Sequence, residues 1–85
     1  MKKVKIYTTT TCPYCRMEKD FLDSKKVQYE EVLIDHDTKA AQEMMNLSGQ
    51  LGVPFTSVTD ENGKEATILG FDKREIAYQI GISVD

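Results

Sequence analysis

Two cysteines, Cys12 and Cys15, enclose Pro13 and Tyr14. So close a pair cannot staple distant parts of a chain, and the spacing suits either thiol–disulfide exchange or thiolate ligation of a metal. The pair stands where one pattern gives way to another. Lys3 to Thr8 alternates polar and apolar with Val4 and Ile6 on one face, as a strand does. Beyond it, Pro13 is suited to a first helical turn, where its missing N–H loses no partner. Cys12 is therefore expected at a helix N-terminus, where unpaired backbone N–H groups and the helix dipole favour negative charge.

Cysteine attacks as its thiolate, and an ordinary thiol with a pKa near ~8.5 is only roughly 3% ionised at pH 7. A helix dipole contributes about 0.3–2 kcal/mol, too little alone to make the thiolate dominant. Direct hydrogen bonds from the Tyr14 and Cys15 amides, and from the Cys15 thiol, must supply much of the remainder. Arg16 and Lys19 fall roughly on the helical side of Cys12; they either add Coulomb attraction or are simply charges on an exposed helix. Cys15, one turn further in, is expected to be less accessible. The division of labour follows: Cys12 attacks a substrate disulfide, and Cys15 attacks Cys12 to release the reduced product.

The elements that must position this pair can be read along the chain. Tyr14, Met17, Phe21 and Leu22 recur at helical spacing with Glu18, Lys19, Asp20 and Asp23 outward, predicting a helix over residues 13–25. Val27 to Ile34 reads as a second strand whose alternation is broken by Glu30 and Glu31. Asp35-His36-Asp37-Thr38 is a polar turn able to cap a helix that carries Ala40, Ala41, Met44, Met45 and Leu47 and stops at Gly49. Phe55–Thr59 and Lys64–Leu69 are expected to pair around Asn62-Gly63 in a type I′ turn, with Glu61 facing Lys64. Asp72 and Glu75 have the spacing of a capping box for a last helix, with Ile76 and Ile80 on one face and Gly81 at its end. Met17, Met44 and Met45 are expected to fill the core.

The resulting order is β-α-β-α-β-β-α. A parallel, right-handed first βαβ unit and an antiparallel hairpin give an α/β fold with a four-stranded mixed sheet and helices on both faces. The 85 residues are expected to form one domain, 1–85, without repeat or linker. A net charge of −3 with scattered lysines argues against a nucleic-acid module. Met-Lys-Lys-Val-Lys-Ile never continues into an apolar h-region, and no run reaches the ~18 apolar residues of a membrane span. A cytoplasmic location is expected, with no nucleic-acid or membrane partner.

Several of these segments resemble the glutaredoxin family, and the likeness covers essentially the whole chain. Ile6-Tyr7-Thr8 leading to Thr11-Cys12-Pro13-Tyr14-Cys15 is similar to the family's first strand and active site. Ser48-Gly49-Gln50 with Gly52-Val53-Pro54 resembles the segment before its third strand, and Gly70-Phe71-Asp72 the approach to its last helix. The resemblance implies a thioredoxin fold with Val53-Pro54 in the cis form. It implies a glutathione-dependent dithiol–disulfide oxidoreductase that reduces protein disulfides and glutathione mixed disulfides, with Cys12 as nucleophile and Cys15 resolving. Pro13, Tyr14, Arg16 and Pro54 would support the active site. Glutathione would be a co-substrate, with no permanently bound cofactor, and would meet Tyr14, Val53, Phe71, Asp72 and Thr9. Asp72 would receive its amino group, cap its own helix, or do both.

The chain departs from the family pattern at three places. Thr9 stands where many glutaredoxins carry lysine, Ala41 where glutamine is frequent, and Gly52 where threonine commonly precedes Val-Pro. Thr9, Gln42 and Gln50 are the residues that could substitute by hydrogen bonding. The absent lysine keeps a second reading open: a glutaredoxin-like redoxin recycled by thioredoxin reductase, rather than by glutathione and glutathione reductase, that donates electrons to a reductase. A carrier of copper or an iron–sulfur cluster is the reading from another class. Two cysteines and one histidine fall short of the four ligands of a structural zinc site, and Asp35-His36-Asp37 reads more simply as a cap. No metal site is expected, and a monomer is.

Overall fold

Successive residues of β1 (Lys3–Thr8) turn to opposite faces of the sheet, and both faces are covered. On one side Val4 and Ile6 join Val58 and Ile68 beneath Phe21, Leu22, Ile76 and Ala77. On the other, Tyr7 and Phe55 meet Met44, with Val32, Ile34 and Val53 at the margin; the Tyr7 and Phe55 rings lie 5.7 Å apart. This computed structural model describes residues 2–49 and 52–84. Gln50, one of the residues singled out above, lies outside them.

The element order is β1, α1 (Pro13–Ser24), β2 (Glu30–Leu33), α2 (Thr38–Ser48), β3 (Phe55–Thr59), β4 (Glu65–Leu69) and α3 (Lys73–Ile80). The four strands lie in the order β2-β1-β3-β4. β1 and β2 are parallel, while β1–β3 and β3–β4 are antiparallel. The helices α1 and α3 pack on one face and α2 on the other, the expected mixed sheet with helices on both faces. The caps follow the sequence. Asp37 accepts from the Lys39 and Ala40 amides at 3.1 Å, and Gly49 closes α2 in a left-handed conformation that glycine adopts without strain.

Several expectations need correction. The second strand is shorter than residues 27–34: Lys26 takes φ 58° and the Val27 amide bonds back to Leu22 O at 3.0 Å. Pairing with β1 therefore starts only at Glu30, opposite Lys5. The hairpin is not a type I′ turn, because Gly63 but not Asn62 has positive φ. Asp60 organises the turn instead, its Oδ1 accepting from the Asn62 and Lys64 amides at 2.9 Å, and Asp60 rather than Glu61 pairs with Lys64.

The capping box is half formed. Asp72 accepts from the Glu75 amide, but the Glu75 carboxylate is engaged by Gln79. The largest correction concerns α1. Glu18, expected outward, is fully buried, whereas Tyr14 and Met17 are 60% and 50% exposed. Met45 is also exposed, which leaves Met44 as the buried methionine of the three expected in the core.

Candidate active site at the start of the first helix

Cys12 is the N-cap of α1, in extended conformation at φ −93° and ψ 110°. Of the two amides expected to serve its sulfur, that of Cys15 does, donating to Cys12 Sγ over 3.1 Å. An amide at a helix N-terminus directed at sulfur stabilises negative charge there. Both thiols are free; Cys12 is half-buried, and Cys15 is 1% exposed. Burial pushes the Cys15 thiol up to about 12, helped by hydrogen bonding to Cys12 and opposed by a backbone hydrogen bond from Thr9. The two sulfurs are thus unequal in access.

The loop that delivers Cys12 to the helix is tied down from the turn that follows β2. Asp35 Oδ2 accepts from the Thr10 amide at 3.1 Å and from its hydroxyl at 2.7 Å. These bonds hold the Asp35 carboxyl below its ordinary range, the hydroxyl contributing most. Reading Asp35 only as part of a capping turn missed this tether.

Lys19 does not offer a free charge to Cys12. Its Nζ lies 2.7 Å from Glu31 Oε2, which also accepts from the Thr8 hydroxyl at 2.9 Å. The hydrogen bond from Lys19 is the largest of the influences that lower the Glu31 pKa. Arg16 is exposed. An open groove of about 750 Å³ runs along this side, from Thr9–Pro13 past Arg16 and Met17 to Lys19 and Glu31.

The groove brings together Thr9, Cys12, Pro13 and Arg16. Tyr14, Val53, Pro54, Phe71 and Asp72 are not among its lining residues. The last four form a second group. The Val53–Pro54 bond is cis, Pro54 is buried, and its carbonyl accepts from the Gly70 amide at 2.7 Å. That bond ties the Val53-Pro54 segment to Gly70-Phe71-Asp72. Phe71 is half-buried, edge-on to Phe21 at a centroid distance of 6.5 Å. Asp72 is exposed and caps α3. Gln42 is exposed and donates to Asn46 within α2.

Glu18 is the residue that the sequence reading missed. Its Oε2 accepts from the Thr56 hydroxyl, and Oε1 has no hydrogen-bond partner among the described residues. Burial pushes its carboxyl up to about 7, with the Thr56 bond acting in the opposite direction. The signal was the helical repeat itself: Cys15, Glu18 and Leu22 share a face as surely as Tyr14, Met17 and Phe21 do. Among the described residues, no group of three or more His, Cys, Asp or Glu side chains converges to hold a metal ion. No described helix is long and apolar enough to cross a membrane.

Comparison with known proteins agrees with this geometry. The Glutaredoxin family model matches residues 4–61. An uncharacterized glutaredoxin-like protein in the rubredoxin operon of Clostridium pasteurianum is 42% identical over 73 residues, 86% of this chain and 91% of that protein. Glutaredoxin 3 of Escherichia coli K12 is 44% identical over 54 residues, 64% of this chain and 65% of that protein. Among solved structures, methanoredoxin from Methanosarcina acetivorans superposes with a TM-score of 0.80 at 25% identity, covering 94% of this chain and 85% of that one. A glutaredoxin from Archaeoglobus fulgidus gives 0.74 at 26% identity, covering 94% and 87%.

Proposed function

The chain belongs to the glutaredoxin family of thiol–disulfide oxidoreductases, and we propose that it reduces protein disulfides and glutathione mixed disulfides through Cys12 and Cys15 with glutathione as reductant. The observation that carries this reading is the hydrogen bond from the Cys15 amide to the half-exposed Cys12 Sγ at the N-terminus of α1. It marks Cys12 as the sulfur where negative charge is supported and which substrate can reach. Buried Cys15 is suited to intramolecular attack.

The cycle follows from thiol chemistry. Cys12 thiolate attacks one sulfur of the substrate disulfide, forming a mixed disulfide and expelling the other sulfur as thiolate. Cys15 then attacks Cys12 Sγ, and the second substrate sulfur leaves. The resulting Cys12–Cys15 disulfide is reduced by two glutathione molecules, which depart as glutathione disulfide. Glutathione is a peptide with free carboxylates and an amino group. In this reading the Val53 backbone beside the cis-proline pairs with it, while Tyr14, Phe71, Asp72 and Thr9 frame it. In this reading the protein works as a monomer in the cytoplasm, whose reducing environment suits the cycle.

A second reading keeps the exchange chemistry and changes the electron source. Thr9 stands where a lysine would meet a glutathione carboxylate, and Lys19 is committed to Glu31. Both observations favour a redoxin recharged by thioredoxin reductase. The relative in a rubredoxin operon is compatible with service to one dedicated redox partner.

Turnover of a small glutathione mixed disulfide with glutathione, glutathione reductase and NADPH tests the proposal. Activity that is lost in Cys12→Ser and persists in Cys15→Ser is the expected result. An inactive wild-type protein that turns over with thioredoxin reductase would establish the second reading instead.

A further inference from the structure

Glu18 places a carboxyl inside a largely apolar interface, and neither binding nor exchange as described above uses it. The residue has no solvent exposure, and Thr56 occupies one of its oxygens. The other oxygen, Oε1, is buried without a partner among the described residues. Such a group costs stability that a leucine at the same place would not. Glu18 follows Cys15 by three positions on α1, which sets the two one turn apart on the same helix face; both are buried, and the Glu18 charge acts on the Cys15 thiol.

We propose that Glu18 is the proton acceptor for Cys15 in the resolving step. The inference rests on the reading of Cys15 as the resolving thiol. In the mixed disulfide, the Cys15 S–H bond breaks and its proton passes to Glu18 Oε1. The freed electron pair forms the Cys12–Cys15 bond as the bond between Cys12 and the substrate sulfur breaks. The substrate sulfur leaves with that bonding pair and takes a proton from solvent. The two cysteines are oxidised by two electrons and the substrate disulfide is reduced by two. In the reverse direction glutathione thiolate attacks Cys12, and protonated Glu18 returns the proton to the departing Cys15.

The environment gives such an acceptor a reason to exist. Burial, the largest influence on the Cys15 thiol and one that persists in the mixed disulfide, keeps it protonated at neutral pH. Burial keeps Cys15 from exchanging that proton readily with water. A carboxyl poised near 7 is half ionised at neutral pH, close to the optimum for a general base. The other groups around Glu18 do not compete for the task. From β3 the facing group is Thr56, which does not titrate. From β2, Glu31 is engaged by Lys19 and Thr8. On α1 itself Cys15 is the titratable group that feels the Glu18 charge, with Cys12 beyond it.

The test is single-turnover stopped flow of the reduced protein with an aromatic disulfide whose thiol absorbs visible light only when free. The first aryl thiol released reports attack by Cys12, and the second reports displacement by Cys15. In the wild type the second phase should accelerate with a midpoint near pH 7. In Glu18→Gln the first phase should keep its rate, while the second slows about a hundredfold at neutral pH and loses that midpoint. A second phase in Glu18→Gln with the wild-type rate and profile overturns the proposal. So does a wild-type profile flat between pH 6 and 8, a result that requires no variant to fold. Release of the second aryl thiol by Cys15→Ser would instead show that Cys15 is not the resolving thiol, a different failure.

Discussion

The Thr56 hydroxyl of β3 donates to the Glu18 carboxylate of α1, so helix and sheet meet through a polar bond inside a layer formed by Ile6, Leu22, Val58 and Ile68. The contact explains how a charge-bearing residue is tolerated there, while its burial makes the stability of the fold depend on pH.

The folded state holds the Glu18 proton up to about pH 7, whereas the unfolded chain releases it near the ordinary 4.5. Stabilisation from the neutral carboxyl is therefore complete below about pH 4.5 and is lost as pH rises through 7. The loss amounts to about 3 kcal/mol for a group this buried. Urea unfolding of the reduced protein should show stability falling over that interval. Glu18→Gln, which cannot ionise, should remove this part of the decline.

Thr56→Val leaves both Glu18 oxygens without a donor. The expected cost is about 1–3 kcal/mol. It should be larger at pH 8 than at pH 5, because the lost bond favours the ionised carboxylate. Paired unfolding curves at the two pH values check both the size and the sign.

Asp35→Ala removes both acceptor bonds from Thr10 while leaving the cores untouched. The expected result is a nearly unchanged melting temperature with a several-fold slower alkylation of Cys12, since the loop that presents Cys12 to its amide donor is no longer held. The tether should survive acidification to about pH 4, because Thr10 keeps the Asp35 carboxyl below its ordinary range.

Thr9→Lys restores a cation beside the groove that holds Cys12. The kcat/KM for glutathione should rise several-fold and become more sensitive to salt, while turnover with a neutral dithiol stays level. Steady-state kinetics at two ionic strengths check this.

Much of the scaffold was legible because local rules and tertiary structure agree in it. Cys12-Pro13 starts α1, Asp37 and Asp72 cap α2 and α3, and Gly49 and Gly81 end them, as capping chemistry requires. The misreadings occurred where two patterns competed. On α1 both Tyr14-Met17-Phe21 and Cys15-Glu18-Leu22 satisfy helical spacing, and a charged residue steered the choice to the wrong stripe. Asn62-Gly63 suggested a two-residue turn, yet Asp60 could bond the backbone on both sides of Gly63 and drew the loop wider. The Asp35–Thr10 tether and the Glu18–Thr56 contact join residues 25 and 38 positions apart. Contacts over such separations have no local signature, and both reach the site through its supports rather than through the Cys12-Pro13-Tyr14-Cys15 motif.

The most direct test of the central claim is to trap the first covalent intermediate. Reduced Cys15→Ser is incubated with a glutathionylated peptide, quenched with acid and digested, and its peptides are weighed. The account predicts one glutathione on the peptide carrying Cys12, removed by added glutathione, and no such adduct on wild type, where Cys15 displaces it. A Cys15→Ser protein that takes up no glutathione would contradict glutathione as the partner. An adduct that survives Cys12→Ser with Cys15 intact would contradict Cys12 as the nucleophile.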